Sequence, residues 1–85
     1  MGKHPKLEAI DAEFNRALDE ATAAFFEDLK PLSADYFAGR IDEAERDSRQ
    51  AVASEKRNLA FEKATVEHSR AWFRAMNEIR AERRG

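Results

Sequence analysis

Apolar positions recur every three or four residues along nearly the whole chain, which is the period of an α-helix. In the first segment Leu7, Ile10, Phe14, Leu18, Ala21, Phe25 and Leu29 form one stripe, with Asp11, Glu13, Asp19, Glu20 and Glu27 on the outer positions. The stripe also repeats at eleven, through Leu7, Leu18 and Leu29 and through Phe14 and Phe25. Eleven residues fill three turns, a spacing that suits a nearly straight helix. The pattern predicts helix 1 over about 6–29.

Lys30-Pro31 is expected to end it, because a proline ring lacks the amide donor and pushes the preceding residue out of helical geometry. Ser33 then offers an N-cap, with Asp35 placing negative charge in the next first turn. Such a short connection makes antiparallel neighbours. Gly39 either closes a single turn over 34–38 or sits inside the following helix.

Beyond Gly39 there is neither Gly nor Pro before Gly85. Phe37, Ile41, Ala44, Ser48, Val52, Leu59, Val66 and Phe73 fall within roughly 40° of one another at 100° per residue. A break would reset that phase, so one long helix 2 is expected from about 34 or 40 to about 83. The rival is a three-helix bundle broken near 47–54, where Asp47-x-x-Gln50 resembles a capping box. The fold class is therefore all-α, a single-domain antiparallel helical hairpin over residues 1–85. Residues 1–5 and 83–85 are expected to fray.

A second stripe, Phe61, Ala64, His68, Trp72, Ala75 and Ile79, lies opposite the Leu59–Val66–Phe73 face, with Met76 between them. A helix apolar on two sides is sandwiched between neighbours. A helix 1 of about 36 Å would reach only to about residue 57–60 of helix 2. It would leave Phe61, Val66, His68, Trp72, Phe73, Met76 and Ile79 to be covered by something else. Burying one large apolar side chain contributes roughly 1.5–3 kcal/mol. Hence the expectation of a homodimer, a coiled-coil-like bundle in which the long helices run antiparallel and each helix 1 caps an outer segment. A different protein is the alternative cover, and Phe26 with Tyr36 is a candidate second partner surface.

Composition removes several chemistries. Cys is absent, so disulfides, thiolate metal sites and cysteine nucleophiles are excluded. No apolar run is long enough to span a bilayer and no signal peptide is visible, so a cytoplasmic protein without membrane contact is expected. Charged residues make up 38% of the chain, with a net charge of −2. That balance gives no general attraction for nucleic acid. It is uneven, however: residues 1–47 carry 6 Lys/Arg against 12 Asp/Glu, while residues 56–85 carry 8 against 4. An acidic helix lying against a basic one accounts for this. The alternative is a small dimeric nucleic-acid-binding bundle in which Arg70, Arg74, Arg80, Arg83 and Arg84 contact phosphates, although Glu67, Glu78 and Glu82 interrupt them.

Catalytic patterns are missing. His68 has Ala64, Thr65, Ala71 and Trp72 at helical spacing, none of them a usual ligand or acid–base partner. At a dimer seam it would make assembly weaken as imidazole gains charge below neutral pH. The carboxylates of Asp42, Glu43, Glu45 and Asp47 read as a solvated face, ion-paired with Arg40, Arg46 and Arg49. No phosphate loop, nucleophile elbow or zinc spacing occurs. No cofactor or metal is expected, and a small all-helical enzyme would need a polar cavity that no spacing here predicts. The leading expectation is a non-enzymatic helical interaction protein that self-associates and binds or modulates another macromolecule, most readily a protein.

Overall fold

The computed structural model describes residues 4–84 as two antiparallel helices. Helix α1 spans Pro5–Phe37 and helix α2 spans Glu43–Arg84. They pack along their lengths into a rod of 67 × 19 × 14 Å. The all-helical hairpin is as expected, and α2 runs unbroken through 47–54, which removes the three-helix rival.

The ends of α1 differ from the expected 6–29. Pro5 occupies the first turn, where its missing N–H would be unpaired in any case, and His4 Nδ1 accepts a hydrogen bond from the Lys6 amide at 3.2 Å. Residues 4 and 5 are thus part of a capped start, and Arg83 and Arg84 are helical; residues 1–3 and 85 lie outside the described residues. Pro31 does not end the helix, which continues to Phe37. An interior proline costs about 3 kcal/mol. Beyond it the apolar stripe goes on, through buried Leu32 and half-buried Tyr36, and packing those residues against α2 offsets the penalty. Ser33 is accordingly inside a helix and caps nothing.

Gly39 makes the stop. Its φ of +75° is the left-handed conformation that a Cβ disfavours. The Gly39 amide donates to the Tyr36 carbonyl at 3.1 Å and the Arg40 amide to the Asp35 carbonyl at 2.9 Å, the two bonds of a Schellman closure. Three residues later Asp42 caps α2, its Oδ1 accepting from the Glu45 amide at 2.8 Å. The expected start of α2 at 34 or 40 therefore moves to 43.

Lengthening α1 changes what it covers. At 1.5 Å per residue α1 is about 50 Å long and α2 about 63 Å. Lys6 reaches Glu82 at 2.6 Å, so α1 shelters the C-terminal third of α2 that a helix ending at 29 could not.

The buried seam repeats at eleven on both helices. Leu7, Leu18 and Leu29, then Ile10, Ala21 and Leu32, then Phe14, Phe25 and Tyr36 line α1; Ala53, Ala64 and Ala75, all buried, line α2. Small alanines on α2 allow the helices to approach, and the larger side chains of α1 fill the seam. Because the chains run in opposite senses, eleven steps forward on α1 match eleven steps back on α2. Phe14, Phe25 and Tyr36 consequently meet His68, Arg57 and Arg46. The ring centroids of Phe14 and His68 are 4.6 Å apart, the Arg57 guanidinium lies 4.5 Å from the Phe25 centroid, and that of Arg46 lies 4.3 Å from the Tyr36 centroid. The two arginine rungs set a cation over the face of an aromatic ring, a favourable contact where water is partly excluded, and the Phe14–His68 rung is a tilted ring contact.

Candidate functional site

Two surfaces hold the residues singled out by sequence. The inner seam takes the Phe61, His68, Trp72 and Ile79 stripe. Ile79 is buried, and Phe61, His68, Trp72 and Met76 are half-buried, within a single chain. His68 faces α1 within the hairpin and is half-buried there. Its Nε2 lies 2.9 Å from Asp11 Oδ1 on α1, and its ring packs between Phe14 and Trp72, the latter centroid 5.8 Å away. Asp11 was an outer residue by the sequence pattern and is an inner one in the fold.

Arg57 is the polar residue that sequence reading passed over. Its guanidinium sits between Phe25 and Phe61, at 4.5 and 5.9 Å from the ring centroids. Nη2 donates to Asn58 Oδ1 at 3.4 Å, while the buried Nε has no hydrogen-bond partner. The legible signal was spacing: Arg46, Arg57 and His68 are eleven apart, as are Tyr36, Phe25 and Phe14 opposite them.

The other surface is a ridge on the far side of α2. Val52, Leu59, Val66 and Phe73 follow one another every seven residues and are 66%, 58%, 48% and 71% exposed. At 100° per residue they centre roughly 170° from the seam, and only the two ends of the row border α1, Val52 across a groove from Pro31 and Leu32 and Phe73 across one from Asp11. Sequence reading left residues of both rows, Val66 and Phe73 as well as Phe61, Trp72 and Ile79, to be covered by something other than α1; the fold takes the Phe61–Ile79 row into the seam and leaves this one outside. Val66 and Phe73 remain uncovered, and they gain Val52 and Leu59 as neighbours along the ridge. Phe26 is exposed, whereas Tyr36 is held under Arg46; it is Phe37, eleven residues after Phe26, that shares its exposure on α1.

Charge flanks the ridge asymmetrically. Arg49, Lys56, Lys63 and Arg70 follow one side at seven-residue steps, and Glu55 and Glu62 follow the other. Arg70, Arg74, Arg80, Arg83 and Arg84 are all exposed, but helical phase spreads them around α2 instead of gathering them in one stripe. Glu82, which interrupts them, is taken up by Lys6 and by His4 at 3.6 Å.

Among the described residues no group of three or more His, Cys, Asp or Glu side chains is placed to hold a metal ion. Their two helices are also not long and apolar enough to cross a membrane. One groove beside the seam, open to solvent, is lined by Ile10, Phe14, Ala17, Ala64 and Ala71 with Glu13, Glu67 and His68 at its edge. Compared with known protein families, curated proteins and solved structures, the chain matches none of them.

Proposed function

We propose that this protein is a non-enzymatic helical interaction module, which self-associates and binds another macromolecule through the outer surface of α2. The observation that carries this reading is the Val52–Leu59–Val66–Phe73 ridge, four apolar side chains in line, each exposed over about half or more of its surface. Contiguous apolar surface on a small protein marks an interaction site. Covering four such half-exposed side chains on each of two chains is worth on the order of 10 kcal/mol. That is comparable to the loss of rotational and translational freedom on association. The hairpin already satisfies its own seam, so association adds to a formed fold and does not complete one.

Light scattering tests the reading. The unmodified chain is expected at a multiple of its 9.7 kDa mass, and Leu59→Glu with Phe73→Glu is expected to return it to a monomer of unchanged helicity. A monomeric unmodified chain overturns self-association. Partner capture by the native chain and not by the doubly substituted one makes binding of a second macromolecule depend on the ridge. The exposed arginines support a second reading, a nucleic-acid-binding dimer. Retention on RNA or DNA that falls steeply with salt and disappears in Arg74→Gln/Arg80→Gln/Arg83→Gln favours it; apolar docking has no steep salt slope.

A further inference from the structure

We infer that the occupant of the α2 ridge is the ridge of a second copy of this chain, with the two α2 helices parallel and in register. The inference rests on the self-association proposed above and adds its partner surface and direction. Three features lead to it.

The first is position. The ridge lies on the face of α2 opposite α1, so a second hairpin meets it without disturbing either seam. The four helices then form a flat row, α1–α2–α2–α1. The second is period. The seam toward α1 repeats at eleven and the ridge repeats at seven. A seven-residue row stays toward a neighbouring helix when the two wind gently around each other. One helix thus carries a straight-packing face and a supercoiling face, on opposite sides.

The third is charge, which decides direction. Two parallel helices related by a twofold axis bring the left flank of one against the right flank of the other. Two antiparallel helices bring like flanks together. The flanks here are unlike: Lys56 and Lys63 on one side, Glu55 and Glu62 on the other. In the parallel, in-register arrangement Glu55 comes level with the second copy's position 56, and Glu62 with its position 63. That makes four opposite-charge pairs across the twofold. Lys56, 3.7 Å from Asp28 in the hairpin and itself exposed, has the reach to turn outward. The antiparallel arrangement, centred between residues 62 and 63, would set position 62 against position 62 and position 63 against position 63, two like-charge contacts at the middle of the seam. Side-chain charge therefore selects the parallel form.

The chain has no cysteine, so single-cysteine variants report direction cleanly. A disulfide needs Cα atoms within about 7 Å. Val52→Cys alone and Phe73→Cys alone are expected to form disulfide-linked dimers under mild oxidation. In an antiparallel pair these two positions would be separated from their own copies by roughly 30 Å along the rod. Self-linking of each variant supports the inference. Linking only in the mixture of the two variants overturns it while leaving self-association intact. A monomeric unmodified chain overturns both.

A charge swap reads the same point without oxidation. Glu62→Lys is expected to weaken the dimer roughly 2- to 30-fold, since two exposed pairs are lost. Combining it with Lys63→Glu in the same chain is expected to restore affinity. Glu62→Lys without effect overturns the parallel arrangement.

Discussion

Asp11 Oδ1 on α1 and His68 Nε2 on α2 lie 2.9 Å apart, a side-chain hydrogen bond joining residues at opposite ends of the sequence and beside the Phe14–His68 ring contact. It ties the two helices together in the distal half of the hairpin, between Ile10 and Phe14 on α1 and Ala64 and Trp72 on α2. Asp11→Ala is expected to lower stability by about 1 kcal/mol, the net worth of one such bond. A double-mutant cycle with His68→Ala is expected to show coupling of about 0.5–3 kcal/mol, measured by urea unfolding. Additive losses would mean that the bond is not formed in solution.

Pro31 is a site where the native residue works against its own helix. Its ring removes one backbone hydrogen bond from α1, and it is itself exposed. Pro31→Ala is expected to stabilise the hairpin by about 1–3 kcal/mol. The unfolding midpoint in urea reads this directly. A loss of stability would show that the proline is needed for Leu32 to pack.

Arg57 sets two effects against each other. Contact of its guanidinium with Phe25 and Phe61 is worth about 0.5–2 kcal/mol, while an unpaired buried donor costs about 1–3 kcal/mol. The second is the larger. Arg57→Met keeps the apolar stem and is expected to be neutral or stabilising by up to about 2 kcal/mol. A thermal melt that falls well below the parent would reverse that order.

The Lys6–Glu82 pair closes the open end of the rod, and its pH dependence has a defined sign. The hydrogen bond from Lys6 holds the Glu82 carboxyl below its ordinary 4.5, and the same bond raises the Lys6 ammonium above its ordinary 10.5. A lowered carboxyl contributes stability that is present above 4.5 and lost as pH falls through its folded-state value. A raised ammonium contributes stability that is present below 10.5 and lost as pH rises through its folded-state value. The difference in melting temperature between the parent and Glu82→Gln is therefore expected to be flat between about pH 5.5 and about pH 9.5 and to shrink on both sides. A difference that does not change down to about pH 3 would dismiss the clamp.

The sequence carried the helical class, the antiparallel hairpin and the unbroken second helix, because these follow from local period and from the scarcity of Gly and Pro. Its eleven-residue repeat through Leu7, Leu18 and Leu29 already described a straight seam. It misplaced the end of α1, since a local rule at Pro31 was outweighed by packing of Leu32 and Tyr36 beyond it. It also left both faces of the C-terminal third of α2 without cover from α1, where the fold covers one of them. A helical wheel shows that α2 has two apolar stripes and says nothing about which one meets α1. Only the tertiary structure decides that, because the choice depends on matching periods and sizes across two helices at once. Ala53, Ala64 and Ala75 accept the bulk of α1 at its own eleven-residue spacing, whereas Val52, Leu59, Val66 and Phe73, seven apart and large, drift out of step with it and are left facing outward.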